Sequence, residues 1–457
     1  MNDIPSSANR HKNAVLMAYS SLALPLAALT MPVYIFLPTY YAQDLGLGFS
    51  LVGLTLLAAR LLDVISDPVI GILGDKTRSE IGRRKIWILG GALPTIAGTW
   101  LLMIPVIPVQ DLTGALYLFG SSALLYIGWT CMILSFQAWG AELSENYDER
   151  SRISAWREGL TVGGILGTLA LLAFLGLSSK QDAADALNVI TWLVVVLIPV
   201  TVFLALRYVP EPQEKQGRKI TFAAGLKILW ANRPFRILAA SYLVNSMANG
   251  LPATLFILYV HHVLNMPQYT NALLFLYFLC GFLAVPLWLK LSYRFGKHQV
   301  WSIAMLWACL FFAFVPFIGT QDIGFYTAIV VLTGLTLGAD LVLPASMQAD
   351  VVDLDRLETG QRRTGLYFAL WGMLTKLSLA LAAGMAFPAL DIAGFVPEEN
   401  KNLWALIGLY ALIPIVLKLT AIKIMSHYPL GREDLSDIQD RLQSQIAHHK
   451  KNHPNTF

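Results

Sequence analysis

Arg60, Asp63 and Asp67 stand in the stretch RLLDVISDPVIG, with the apolar run LGFSLVGLTLLAA just before it and ILG just after. At about 100° per residue, Asp63 falls about 60° from Arg60, and Asp67 falls about 20° from it on the same side, so one helix face carries all three. Charges at the centre of a hydrocarbon-spanning helix cost about 2.5–3.5 kcal/mol each and face a bundle interior or a water-filled cavity. Two carboxylates about 5 Å apart repel by roughly 3 kcal/mol at an effective dielectric of 20, and one arginine neutralises only one of them. A reversibly bound cation relieves the remainder. Asp63, Asp67 and Ser66 supply the oxygens that suit a hard ion such as Na⁺. A proton serves equally, because a repelling pair holds it more firmly than a lone carboxylate does. The plainer alternative, an Arg–Asp network that only ties helices together, leaves the second aspartate unexplained.

Other isolated charges sharpen this reading. Lys376, in GLYFALWGMLTKLSLALAAG, has about eleven residues of apolar span on either side, too many for easy snorkelling, and its sensible counter-charge is the aspartate pair. Asp340, in GLTLGADLVLPASMQAD, is an intramembrane acid that either lines a cavity or bonds within the bundle. Asp75 and Arg83 in the basic loop DKTRSEIGRRK, with Glu142 and Arg157 at nearby span ends, are candidates for a cytoplasmic ion-pair gate. Ser135, Gln137 and Asn249, with the aromatic residues Tyr34, Tyr126, Trp139 and Trp371, are candidate substrate contacts, as is Asp340 if it lines the cavity. His261 and His262 are adjacent, so they point to different faces and make a poor metal pair.

The elements that must position these residues are membrane helices. The chain has 457 residues, 56% hydrophobic and 14% charged, with a mean hydropathy of +0.58. An ordinary soluble domain is roughly 25% charged. The fold class is therefore an all-α polytopic membrane protein, with no hydrophilic segment long enough for a large soluble core. Twelve spans are expected, near 13–42, 48–74, 86–108, 113–141, 157–177, 186–208, 234–264, 268–293, 299–320, 323–348, 365–388 and 401–424. Under this assignment only Lys180 and Lys401 of the 33 Lys and Arg fall in external loops. Arg60 and Lys376 lie inside the membrane, and the rest flank one side, which places both termini in the cytoplasm. Cys131, Cys280 and Cys309 all fall within spans, so no disulfide framework is implied. A net charge of +4 is too small to imply nucleic acid, and the lipid bilayer is the expected surrounding.

The domain division expected is a six-helix bundle over 1–208 with the cation site, a cytoplasmic loop over 209–233, a second bundle over 234–424 and a cytoplasmic tail over 425–457. Internal similarity supports a duplication. DPVIGILGDKTRSEIGRRKIW and VPLWLKLSYRFGKHQVW both place a Pro, then a basic loop with Gly-Arg or Gly-Lys, then Trp five residues after that Gly, at Gly82 to Trp87 and Gly296 to Trp301. Two such halves about a central cavity are the major facilitator arrangement. Val285 stands where the first half has Asp67, so the carboxylates belong to one half alone.

RLLDVISDPVIGILGDKTRSEIGRRKIWIL, the loop AELSENYDERSRISAWREG and ADVVDLDRLETGQRRTGLYFALWGMLTK resemble the glycoside–pentoside–hexuronide:cation symporters, the melibiose permease-like branch of the major facilitator superfamily. The resemblance spans the whole chain. It implies that Asp63 and Asp67 coordinate the coupling cation, that Lys376 matches the family's eleventh-helix lysine, and that Trp139 matches a tryptophan of the sugar pocket. It implies no cofactor beyond Na⁺ or H⁺. The departures also inform. The fourth-helix sugar-binding aspartate falls on Ser135, the first-helix one falls around Pro25–Ala27 where no acid stands, and a fourth-helix threonine near the cation becomes Met132. The function expected is cation-coupled symport of a glycoside-like small-molecule substrate by alternating access. A lipid-like amphiphile is the second choice, since lysolipid symporters resemble this sequence in keeping the aspartate pair and lysine. A transport-derived sensor and a lipid-modifying enzyme are remote: no clustered metal ligands or nucleophile–base pair is evident. A monomer suffices for such an architecture.

Overall fold

The computed structural model describes residues 11–30, 32–144, 147–177, 183–211, 232–359, 364–397, 399 and 401–431. Twelve helices there are long and apolar enough to cross a membrane. They are α1 (Asn13–Asp44), α7 (Arg233–Val263) and α12 (Leu403–Met425), together with α2 (Phe49–Lys76), α3 (Arg83–Met103), α4 (Asp111–Glu142), α5 (Tyr147–Phe174), α6 (Ala183–Tyr208), α8 (Thr270–Phe295), α9 (Lys297–Phe312), α10 (Ile323–Thr359) and α11 (Thr364–Ile392). The helical state satisfies every backbone group internally, which a lipid surrounding demands.

All twelve expected spans are present, and two expected span boundaries, the end at 348 and the start at 157, are corrected. The charged stretch 349–359 continues α10 rather than forming a loop. No Gly or Pro interrupts ADVVDLDRLET, so nothing in it breaks the backbone ladder once it leaves the apolar region. Likewise α5 begins at Tyr147, so much of the stretch 141–159 is helical. Most of the expected central loop, residues 212–231, and most of the tail, residues 432–457, lie outside the described residues.

Two glycines mark the internal duplication. Gly82 and Gly296 immediately precede α3 and α9 with φ of 121° and 88°, a region in which other residues are strained. Gly82 is further constrained, because a Cβ there would lie 2.5 Å from Glu211 Cδ. The Glu211 carboxylate accepts the Arg84 backbone N–H at 2.8 Å and so caps the start of α3.

The residues fall into two compact units. Those described within Met1–Gly217, Ala253–Phe275 and Ala380–Leu406 form the first, and those within Arg218–Pro252, Leu276–Leu379 and Ile407–Phe457 form the second. The division therefore does not fall simply at the central loop. Segments of α7, α8, α11 and the start of α12 join the first unit, and direct packing accompanies this. Phe49 stacks on Phe387 at 5.7 Å, Gln43 bonds His262 at 2.8 Å, and Gly53 leaves only 2.8 Å between its would-be Cβ and Pro388 Cδ. Within the first unit α3 and α4 approach so closely that a Cβ on Gly98 would lie 2.4 Å from Leu125 N, and one on Gly128 2.5 Å from Thr95 N. Small residues permit this spacing between membrane helices, and it sets the height of α4 beside α2.

Candidate functional site

In the first unit, α2 presents Arg60 and Asp63 to the protein interior, 5% and 2% exposed, with Asp67 one turn further and partly exposed. Arg60 Nη1 donates to Asp63 Oδ2 at 3.0 Å. The guanidinium lies over two rings, Tyr126 of α4 at 3.7 Å and Tyr34 of α1 at 4.5 Å. Aromatic faces favour a cation there without hydrogen bonds. Pro68 cannot donate to the Val64 carbonyl, so a helix-backbone oxygen is released one turn before it.

The residue that completes the cluster is Thr130, on α4. Its hydroxyl lies 2.9 Å from Asp63 Oδ1 and 3.0 Å from Asp67 Oδ1. A hydroxyl carries one hydrogen, so it can donate to only one of these oxygens at a time. With both carboxyls ionised the other contact sets acceptor against acceptor. A shared proton, or a cation placed among the three oxygens, turns the repulsion into attraction. This is the physical feature that makes the cluster a candidate site.

Thr130 was not a sequence candidate. The residue expected to stand where a threonine could help hold the cation, Met132, is buried and 1% exposed, and its sulfur faces the Thr95 hydroxyl at 3.5 Å. The hydroxyl is thus supplied two residues earlier. A signal existed in the helical period: Tyr126, Thr130 and Gln137 share one face of α4, whereas Ser135 and Trp139 lie about 140° and 180° from Thr130.

That same geometry relocates several candidates. Trp139 is 0% exposed, and its indole N–H donates to the Pro210 carbonyl at 2.9 Å. Ser135 shares its buried side at 4% exposure, while Gln137 is exposed. In this structure Trp139 anchors the start of the central connection instead of lining open space. Tyr34 and Tyr126 embrace Arg60, and Tyr126, at 2% exposure, is held there. Ser66 donates its hydroxyl to the Asp63 backbone carbonyl at 2.9 Å. Its proton is therefore spent on its own helix, and only its lone pairs remain to serve a cation.

The gate candidates separate as well. Glu142 accepts from Arg84 through Nε at 3.1 Å and Nη2 at 2.6 Å, and from Arg83 at 2.9 Å. The cluster clamps α3 to α4 inside one unit, and Arg84 was its unexpected member. Arg157 pairs with its neighbour Glu158 at 2.7 Å and not with Glu142. The side chain of Asp75 lies outside the described residues.

In the second unit Lys376 sits on α11, partly exposed. Trp371 stacks on Tyr242 at 4.0 Å, and the Tyr242 hydroxyl meets Thr375 Oγ1 at 2.8 Å. Asn249 and Asp340 are bonded to each other at 2.8 Å, so the Asp340 carboxylate bonds within its bundle. Lys297 pairs with Asp350 at 2.6 Å, following Gly296 as Arg83 follows Gly82, which matches the duplication in the sequence. Among the described residues no three His, Cys, Asp or Glu side chains gather to hold a metal ion.

Residues 18–432 match the family model described as MFS/sugar transport protein. The chain belongs to this family. It is 24% identical over 83% of its length, and 78% of the relative's, to sodium-dependent lysophosphatidylcholine symporter 1-A of Danio rerio. It is 25% identical, with 86% and 87% covered, to the putative glycoside/cation symporter YagG of Escherichia coli. Its fold is shared with the nucleoside transporter NupG, at TM-score 0.66 and 14% identity, with 90% of this chain and 98% of that one covered. This family member is an integral membrane transport protein, not an enzyme.

Proposed function

We propose that the transporter binds one Na⁺ among Asp63, Asp67 and Thr130 and moves it together with an organic solute, a glycoside first. The single Thr130 hydrogen set between two carboxylates carries this reading. Arg60 offsets one carboxylate, and the cation completes the neutralisation. Lys376 serves as the charge that the empty site attracts and the filled site releases, linking ion binding to the change of state. Support for the substrate class comes from the match to a sugar-transport family model and from a glycoside/cation relative. Both termini are cytoplasmic in this reading, the membrane is the bacterial inner membrane, and a monomer carries the whole cycle. The packing of Phe49 on Phe387 and the Gln43–His262 bond are then the external seal of alternating access.

A second substrate class rests on its own observation. Ser135 replaces a sugar-binding acid and is buried, and Asp340 is bonded within its bundle, which leaves the tyrosine and tryptophan surfaces of an amphiphile carrier. The named activity of the Danio rerio relative belongs to this class.

Purified protein melted with and without Na⁺ at two pH values tests the ion. A rise specific to Na⁺ is expected. A rise only on acidification assigns the ion as H⁺, and no response to either overturns the coupling site. Uptake into proteoliposomes of a radiolabelled β-glycoside against a lysolipid then decides between the two substrate classes.

Thr130→Val keeps the shape and removes the hydroxyl. The expected result is roughly a tenfold higher Na⁺ midpoint, equivalent to about 1.4 kcal/mol, with the fold retained. A cation titration followed by thermal shift measures it, and an unchanged midpoint would remove Thr130 from the site.

A further inference from the structure

The second unit contains a buried charge pair that the coupling reaction does not use. Asp340 on α10 and Lys418 on α12 stand 4.0 Å apart, and Lys418 is 3% exposed. Two asparagines one turn apart on α7 span the gap. Asn245 Nδ2 donates to Asp340 Oδ1 at 2.9 Å, and Asn249 Nδ2 donates to Oδ2 at 2.8 Å. Their carbonyl oxygens accept from Lys418 Nζ, Asn245 at 2.9 Å and Asn249 at 2.7 Å. Trp301 Nε1 on α9 adds a donor to Asp340 Oδ1 at 2.7 Å. Neither amide can be reversed, since that would aim NH₂ at the ammonium and oxygen at the carboxylate.

From Lys418 Nζ outward, the surroundings are two amide oxygens and one carboxylate oxygen. Oxygen donors of this kind are what hard cations take. The ammonium fills that place on a four-carbon stem, so it neither leaves nor exchanges. The sequence gives the same asymmetry: the exchangeable site has two acids to one arginine, whereas here one acid meets one lysine.

We propose that Lys418 is a built-in counter-cation, permanently occupying an oxygen cage for a monovalent cation formed by Asp340, Asn245 and Asn249. Asp340 is then neither a coupling carboxylate nor a substrate contact, and the second unit is closed to ions from solution. With the first unit as the coupling site proposed above, the carrier exchanges one cation per cycle.

Removing the lysine side chain vacates the cage, and small cations should refill it. The test uses full-length protein carrying Asp67→Asn, so that the first unit contributes no cation response. In that background Lys418→Ala is expected to lower the melting midpoint by roughly 5 °C or more. Ammonium or methylammonium chloride should raise it again to a plateau, while choline chloride, too large for the cage, should not. Adding Asp340→Asn should restore stability without any cation and abolish the ammonium response. The proposal is overturned if Lys418→Ala melts like its parent, or if ammonium, methylammonium and Na⁺ do no better than choline. Should Lys418→Ala fail to fold, the variant that also carries Asp340→Asn decides: recovery of folded protein supports the cage, and failure overturns it. Rescue in a protein whose parent with Asp67 intact shows no Na⁺ or pH response would sink the coupling reading alone and leave this one standing.

Discussion

Asp67→Asn is expected to make the transporter indifferent to its coupling cation while leaving it at least as stable as the cation-free parent. Asp67 shares the Thr130 hydroxyl with Asp63 but is not the carboxylate that holds Arg60. An amide at position 67 removes one negative charge and brings its own N–H, which repairs the acceptor–acceptor contact at Thr130. The variant thus imitates the loaded site. In the parent, a ligand at one hundred times its Kd stabilises the folded state by about 2.7 kcal/mol, and this increment should vanish in the variant. Uphill accumulation should be lost while exchange of solute down its gradient persists, because neutralisation no longer depends on an ion. Parallel melting curves with and without Na⁺, and counterflow against net uptake in proteoliposomes, measure both parts. A sodium-dependent shift that survives in Asp67→Asn would place the ion elsewhere.

Asp63→Asn should behave quite differently despite the same chemistry. Asp63 is the partner of Arg60, and both are buried, at 2% and 5% exposure. Its loss leaves a guanidinium stripped of its counter-charge in a membrane bundle, a change worth about 3–5 kcal/mol. The rings of Tyr34 and Tyr126 offset part of it, at about 2 kcal/mol or less apiece. The expected outcome is a marked fall in melting temperature, with the combined Arg60→Met and Asp63→Asn variant more stable than Asp63→Asn alone. A double-mutant cycle on melting midpoints isolates the coupling. Equal stability of Asp63→Asn and the parent would show that the Arg60–Asp63 contact does not hold α2 in place.

The two aspartates thus divide the work that their shared helix face joins. Spacing along α2 put Arg60, Asp63 and Asp67 on one side, and no more than that. Which carboxylate takes the arginine, and which shares the exchangeable place, depends on where α4 and α1 deliver Thr130, Tyr126 and Tyr34. The α4 face follows from period, yet its height against α2 is set by Gly98 and Gly128, which let α3 and α4 pack almost backbone to backbone.

Lys418 illustrates a different limit. In the sequence it stands seven residues before the end of its helix, within reach of an interface, and it counts among the flanking charges. Its burial follows from Asn245, Asn249, Asp340 and Trp301 on three other helices, and no local pattern in any one of them announces the other three. Trp139 poses the opposite case. Its type and place imply a pocket wall, whereas the Pro210 carbonyl draws its indole inward.

What the amino-acid sequence determined by itself is set by solvation. Apolar runs of membrane length dictate twelve spans, loop glycines and prolines mark many of their ends, and a pair of acids inside a span marks the place where an exchangeable cation is proposed. What only the tertiary structure decided is pairing: Thr130 in place of Met132, Arg84 with Glu142, and Lys418 with Asp340. Solvation acts on each segment alone and can be read one residue at a time, but a hydrogen bond depends on atoms brought within about 3 Å by packing between helices far apart in the chain.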